Sequence, residues 1–465
     1  MHIRGFLNHI PALVIAAMLL AVSGCVQGPA GMASKAGSAV ALPKRYDATA
    51  YPIPHIASGL KNIFASRSLN NWIDRALKNN PDLKVSAARM DEAGFNTRKA
   101  YAPTLPEISA GASSSRSRSN NFGTPLLLSN HSVNLDVSWE LDVWGRVRAG
   151  LSAAASSQAA ARADYHAARQ SIAAQTAQAY FNLIAAQQRL ALSQSRLNSF
   201  KKTYQLVSRR FQAGTGNLGD MDLAKTDVDN TRAQVEQLKD AYDQAARQLR
   251  ALAGAYPDRQ VGGRFSQWPS LSRGVSAGVP SDLLMRRPDV DAAYQRILAA
   301  DAQVKVAHRD LFPRFNLTSS GGRQSSVLGR LTDPSFNVWS VAGAVTQPLF
   351  DAGSRRAELG AANARARQAY AAYQSTCINA FREVENALGS EYYLKRQESA
   401  IRQALASARR AEERVQRSYE RGLVEILTLL DAQRRSFNTE ESLINTRALR
   451  YQNRVTLALA LGKAL

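Results

Sequence analysis

The sequence predicts a mainly α-helical chain with transmembrane β-structure: four β-strands and long coiled-coil helices arranged as two structural repeats. Three observations predict it. The chain is written twice. Asn80–Pro81–Asp82 returns as Arg287–Pro288–Asp289, and Pro106, 25 residues beyond Pro81, returns as Pro313, 25 beyond Pro288. Trp144–Gly145–Arg146 matches Ala352–Gly353–Ser354, Phe211–Gln212–Ala213–Gly214 matches Tyr419–Glu420–Arg421–Gly422, and Ala253–Gly254 matches Leu461–Gly462. The offset is 207 at the first landmarks and 208 at the later ones, so the halves are equivalent units of the kind that stack or close with their copies. The second observation is a period of two: Val133, Leu135, Val137, Trp139 and Leu141 alternate with Asn134, Asp136, Ser138 and Glu140, which specifies a strand with one apolar and one polar face. The third is a 3.5-residue seam, Ala179, Leu183, Ala186, Leu190, Ser193, Leu197, Phe200, Tyr204, Val207 and Phe211, the spacing of coiled-coil packing.

Taken in order, residues 1–24 read as a targeting segment, with Arg4 before an apolar run Ile10–Val22 that is too short to span a membrane. Residues 25–60, rich in Gly, Ala, Ser and Pro, read as an extended tether. Repeat 1 covers 61–265 and repeat 2 covers 266–465. Helical sequence begins near Ser68. Pro81 opens a further helix as its first residue, and that helix ends at Ala102–Pro103 and Leu105–Pro106. Strands are expected at about 107–119 and 132–142, joined by a loop Asn120–His131, and again at about 313–325 and 336–347. Each is about ten residues, enough to cross a bilayer when tilted. A helical hairpin follows each strand pair, at about 150–254 and 354–462. A sixty-residue arm makes a rod of about 90 Å. Gly214 and Gly422 close the long helices in the manner of C-terminal glycines, which puts the hairpin tips at 214–222 and 422–431. The second seam is weaker, interrupted by Glu391, Glu398 and Glu412, while its return helix repeats Leu430, Phe437, Ile444, Tyr451 and Ala458 every seven residues.

Composition excludes several function classes. The 465 residues carry a formal charge of +22, but Arg and Lys are scattered among Glu and Gln with no basic, aromatic-interleaved block, so nucleic-acid binding is not expected. The six His are dispersed, and no metal-ligand, Walker or nucleophile-elbow motif occurs; neither catalysis, a metal nor a soluble cofactor is expected. Gly214–Thr215–Gly216–Asn217–Leu218–Gly219 imitates a dinucleotide loop but follows a helix rather than a strand. Cys377 lies on an apolar stripe with Tyr373 and Val384 and reads as a buried small hydrophobe.

Four amphipathic strands cannot close a sheet, and an open edge cannot sit in lipid. The chain is therefore expected to share a barrel with its own copies, eight strands from two or twelve from three, with the polar faces lining water.

Val22–Ser23–Gly24–Cys25 resembles a bacterial lipoprotein signal, which implies a lipid on Cys25; Val26, rather than Asp, implies outer-membrane delivery. Ser138–Trp139–Glu140–Leu141–Asp142–Val143–Trp144–Gly145–Arg146–Val147–Arg148 resembles the first strand-to-helix junction of TolC-like outer-membrane factors. Pro280–Ser281–Asp282–Leu283–Leu284–Met285–Arg286–Arg287–Pro288–Asp289–Val290 is similar to the opening of the second repeat in the lipoprotein branch of that family. Gln347–Pro348–Leu349–Phe350–Asp351–Ala352–Gly353 resembles the second junction, and Leu427–Thr428–Leu429–Leu430–Asp431–Ala432–Gln433 the second hairpin tip. The resemblance implies a homotrimer closing as a 12-strand β-barrel in the outer membrane and a 12-helix α-barrel in the periplasm. The function it implies is the passive exit duct of a tripartite efflux pump, with a periplasmic adaptor (a membrane fusion protein) and an inner-membrane transporter as partners. A type I protein-secretion duct and a non-channel coiled-coil lipoprotein are the alternatives. The lipoprotein signal and the segment opening the second repeat favour efflux over secretion, and the strands argue against a spacer.

The same resemblance assigns the site residues. Asp431 aligns with an aspartate ringing the periplasmic mouth, Leu427 with an apolar constriction one turn away, and Asp220 with the first-repeat tip position. Gly214, Gly216, Gly219 and Gly422 fall at the tips expected to meet the adaptor, with Gly216 and Gly219 expected to loosen the first. Thr428 and Val424 depart from the acidic and basic residues of the best-known member.

Overall fold

The computed structural model describes residues 31–40, 46–50, 59–121, 124–262, 265, 267–271 and 286–462. The targeting segment 1–24, Cys25, much of the tether and the 280–285 part of the repeat-opening motif lie outside them. The helices are α1 (Leu60–Phe64), α2 (Arg67–Asn79), α3 (Pro81–Tyr101), α4 (Arg146–Gln212), α5 (Leu218–Leu252), α6 (Pro288–Arg309), α7 (Ser354–Glu420) and α8 (Ile426–Ala460). The strands are β1 (Glu107–Asn121), β2 (Thr124–Leu141), β3 (Arg314–Ser325) and β4 (Asn337–Thr346). Among the described residues no helix is long and apolar enough to cross a membrane.

The chain divides into two units, one drawn from 1–39, 90–162 and 292–374, the other from 40–89, 163–291 and 375–465. Each takes material from both sequence repeats. In the first unit all four strands form one antiparallel sheet in the order β1-β2-β3-β4, with β2 of the first repeat hydrogen-bonded to β3 of the second, Trp139 opposite Leu317. The expected loop Asn120–His131 is corrected: β2 starts at Thr124 and stays in register with β1 from Asn121↔Thr124 to Glu107↔Ser138. Pro125–Leu128 breaks the alternation and β1 carries six Ser among its 15 residues, so hydrophobic period gives no sign of strand there; cross-strand pairing sets it instead. The apolar side of the sheet is open: Leu135 is 58% and Val341 63% accessible. In the same unit α6 and α7 meet through Val304, Ala307, Ala362 and Ala366.

The second unit holds the larger core. The seam residues Ala179, Leu183, Ala186, Phe200 and Val207 of α4 are buried, as are Leu430, Ile444, Tyr451 and Ala458 of α8. Phe64, Phe181, Trp268 and Tyr451 cluster, with ring centroids 4.7 Å apart for Phe64–Phe181 and for Trp268–Tyr451. Burial pushes the Tyr451 phenol up to about 12. Cys377 is buried, along with Tyr373 and Val384.

Two of the three glutamates that interrupt the second seam, Glu391 and Glu398, are matched across the helix pair. Glu391 accepts from Arg454 at 2.6 Å and from Arg450 at 3.2 Å; Glu398 accepts from Arg402 at 2.7 Å, Arg450 at 2.8 Å and Arg447 at 3.0 Å. Burial alone would raise the Glu398 carboxyl, but the hydrogen bonds from Arg450, Arg447 and Arg402 outweigh it and hold the group below its ordinary value. α7 therefore contributes acid where its partner α8 contributes base, and the buried charges are paired.

The duplication is visible in the backbone. Gly145 and Gly353 have φ of 78° and 85°, Gly214 and Gly422 of 73° and 77°, Gly254 and Gly462 of 69° and 65°. The last pair has a steric reason beyond φ. A Cβ on Gly254 would sit 2.5 Å from the Asn79 carbonyl oxygen, and one on Gly462 2.8 Å from that of Arg286. In each repeat the helix after the proline docks against the end of the return helix. The Asn80 amide donates to Leu252 O at 2.9 Å, and the Arg287 guanidinium donates to Ala460 O at 3.2 Å.

Candidate functional site at the helical tips

Both hairpins turn in the same way. At the end of α4 the Gly214 and Thr215 N–H groups donate to Phe211 O and Arg210 O, each at 2.9 Å. At the end of α7 Gly422 and Leu423 donate to Tyr419 O and Ser418 O, again each at 2.9 Å. Both are Schellman closures, with glycine supplying the left-handed residue. Two glycines of the first tip stand where a side chain would be crowded. A Cβ on Gly216 would lie 3.0 Å from Phe211 N, and one on Gly219 3.2 Å from Asn217 Oδ1, so glycine permits close approach here. Asn217 then caps α5 by accepting from the Asp220 N–H at 2.8 Å. The second tip lacks this device: Glu425 is the N-cap residue of α8 and makes no side-chain cap bond.

Beneath the tips Phe200, Val207, Ala224, Val228, Tyr419, Ile426, Leu429 and Leu430 form one apolar cluster, drawn from the long and return helices of both repeats. Leu427 and Asp431 stand one turn apart on the outer face of α8, away from that cluster, with Leu427 54% accessible. The Asp431 carboxylate accepts from Arg435 Nε at 2.8 Å within the same helix, an exposed i,i+4 pair that contributes little to stability. Asp220, in the first turn of α5, acts on a different neighbour. Burial raises the Tyr419 phenol, the Arg210 guanidinium opposes that rise, and the Asp220 charge adds to it. The structure thus presents Leu427 and Asp431 together on an open face, and sets Asp220 beside Tyr419.

Sequence reasoning missed the cross-links between the two hairpins. Arg434 of α8 makes a two-pronged contact to the buried Asp227 of α5, at 2.9 and 2.8 Å, with Nε at 3.2 Å. Arg210 donates to Tyr419 O at 2.6 Å while its guanidinium lies 4.4 Å from the Tyr419 ring centroid. Gln433, buried, donates to Ser199 Oγ at 3.2 Å and Thr203 Oγ1 at 3.1 Å. These bonds join residues 207 to 234 apart in the chain, so no local spacing announces them. Together they clasp the end of hairpin 1 to the end of hairpin 2.

Comparison with known proteins agrees with this layout. The model for the outer membrane efflux protein family matches residues 72–255 and again 279–463, one match per repeat. The chain is 34% identical over 408 residues to the outer membrane protein OprJ of Pseudomonas aeruginosa, covering 86% of this chain and 85% of that protein. It is 28% identical over 448 residues to the cation efflux system protein CusC of Escherichia coli K12, covering 95% and 97%. Among solved structures, the outer-membrane channel OprN superposes with a TM-score of 0.86 at 28% identity, covering 94% of this chain and 99% of that one. The matches span both repeats, both strand pairs and both helical hairpins, and the chain belongs to the outer membrane efflux protein family.

Proposed function

We propose that the chain is the outer-membrane exit duct of a tripartite efflux pump, passively conducting small molecules such as drugs that an inner-membrane transporter delivers through a periplasmic adaptor. The observation that carries this reading is the four-stranded antiparallel sheet, whose outer strands β1 and β4 each keep a free edge among the described residues and whose apolar face is exposed. Such edges are intolerable in lipid unless copies of the chain complete a closed barrel. Three copies supply twelve strands, wide enough for a lumen, and four long hairpin helices per chain supply a twelve-helix wall. The kinship with OprJ, CusC and OprN supports the same assembly. A lipid on Cys25 would add an anchor beside the barrel.

Transport through such a duct breaks no bond, so the functional residues act by closing and opening it. Leu427 and Asp431 lie on the face of α8 that the chain's own helices leave uncovered, where three copies would gather three leucines and three carboxylates about one axis. The leucines resist wetting, and the carboxylates repel one another and attract cations. Asp220 stands in the first turn of α5, where its charge reaches Tyr419. Adaptor contact at the tips around Gly214, Gly216, Gly219 and Gly422 would stabilise an outward splay.

Purified full-length protein should run as heat-labile trimers and form pores in planar bilayers. Leu427→Ala with Asp431→Ala should raise single-channel conductance. Unchanged conductance removes the gate assignment, and a wild-type protein that forms no pore removes the duct.

A further inference from the structure

The strand charges sort by face, against the composition of the whole chain. Residues directly opposite in an antiparallel pair project to the same side. Along the register one row reads Ser109–Asp136–Ser320–Ser340 and the next Gly111–Asn134–Gly322–Val338. This is the hydroxyl-rich face. The arginines Arg116, Arg118 and Arg323 pair with Ser129, Leu127 and Val133, which puts all three on the other face, the one bearing Val133, Leu135 and Val137.

The charges left on the hydroxyl face are Glu107, Asp136, Glu140 and Arg314. Two are neutralised locally: Glu140 accepts from Arg146 at 2.7 and 3.0 Å, and Arg314 donates to Asp310. Asp136 instead accepts from the neutral Asn134 amide, and among the described residues no basic side chain is in salt-bridge contact with it. Asn134 lies close against a glycine of the neighbouring strand. A Cβ on Gly322 would fall 2.6 Å from Asn134 Cα, and one on Gly111 3.4 Å from Asn134 Oδ1.

We propose that Asp136, held by Asn134 and reinforced by Glu107, makes the membrane section of the duct select for cations, in a chain whose net charge is +22. The inference rests on the duct reading above, in which the hydroxyl face lines the lumen. Twelve strands about 4.8 Å apart and tilted about 40° enclose a backbone circle about 24 Å across, so three inward-facing Asp136 carboxylates stand within about 12 Å of the axis. At 0.01 M salt, where the Debye length is about 30 Å, they enrich cations about threefold on the axis and deplete anions by a similar factor. At 1 M salt, with a Debye length of about 3 Å, the axis is screened and the effect vanishes. Selectivity of this kind is a field effect on cationic cargo, distinct from a binding site.

The test is the reversal potential of purified trimers in planar bilayers under a KCl gradient, at about 0.01 M and about 1 M mean salt. Wild type should favour K+ over Cl− at low salt and lose that preference at high salt. Asp136→Asn should lower the low-salt permeability ratio by about three- to tenfold, and Asp136→Glu should keep it. Should Asp136→Asn fail to assemble, Ser320→Lys, which places a cation beside Asp136 in the same row, should lower the ratio in the same way. Pores that conduct normally but keep their ratio in D136N or S320K overturn the inference while leaving the duct intact. So does a ratio that falls only in D431N, since selectivity then resides at the tips. A wild-type protein that forms no pore overturns the duct reading, and the inference falls with it.

Discussion

Replacing Glu398 with Gln tests the buried ion cluster of the second hairpin. Glu398 is 6% accessible and accepts three charge-assisted hydrogen bonds, from Arg402, Arg450 and Arg447. Gross values of about 1.5–3 kcal/mol per bond would sum to far more than the real cost. Arg402 and Arg447 side chains are 62% and 32% accessible and rehydrate when released, and Arg450 keeps Glu391. What remains is one buried pair broken on one side, about 3 kcal/mol. Unfolding entropy for 465 residues is about 1 kcal/mol per kelvin, so Tm should fall by about 3 °C, read by circular dichroism on the detergent-purified trimer at pH 7. The folded carboxyl lies below its ordinary 4.5. Its contribution is therefore complete above pH 4.5 and disappears as pH falls through the lowered value, so the gap between wild type and E398Q should close in acid. The exposed neighbour Glu413→Gln serves as the control. A shift no larger than the control's, or a gap unchanged from pH 7 to pH 3, refutes the reasoning.

Two further outcomes follow from neighbouring groups. Burial raises the Glu412 carboxyl despite its bond with Ser436 and the nearby Arg409, so its neutral form stabilises the fold below its ordinary pKa and that benefit is lost as pH rises through the raised value; Glu412→Gln should raise Tm at pH 7 and leave it unchanged at pH 4. Asp227→Asn removes the charge held by Arg434 beneath the tips, and hydrogen exchange of α5 amides near residue 227 should accelerate about tenfold, matching a loss of about 1.4 kcal/mol; exchange that matches wild type would mean the two hairpins are clasped by the apolar cluster alone.

The sequence carried the long helices, their seams and their glycine stops because each is a local, sustained period. It carried β3 and β4 as the second-repeat counterparts of the first strand pair, and lost the outer part of β2, where Pro125–Leu128 interrupts alternation and only pairing with β1 defines the strand. At the tips Leu427 and Asp431 were legible as an exposed i,i+4 pair through their motif. Asp227, Arg434, Arg210 and Gln433 were not, since each acts on a residue some two hundred positions away. Glu391 and Glu398 looked like breaks in a seam when read on α7 alone; only the arginines of α8 turn them into its polar core. Gly216 reads as slack in sequence, and only the fold reveals how close a Cβ there would come to Phe211 N.

The matched turns at Gly145 and Gly353, Gly214 and Gly422, and Gly254 and Gly462 separate two symmetries that a simple trimer would keep together. Backbone conformation repeats twice per chain, while side chains such as Asn80 and Arg287, or Asn217 and Glu425, do not. In the threefold ring proposed above, this chain would show a partner six nearly equal steps of main chain but only three of any given side chain. A docking protein that reads backbone and shape can bind in sixfold array, whereas one that reads charge is restricted to alternate positions. The ratio of bound partner to chain, two to one or one to one, would report which of the two languages the partner reads.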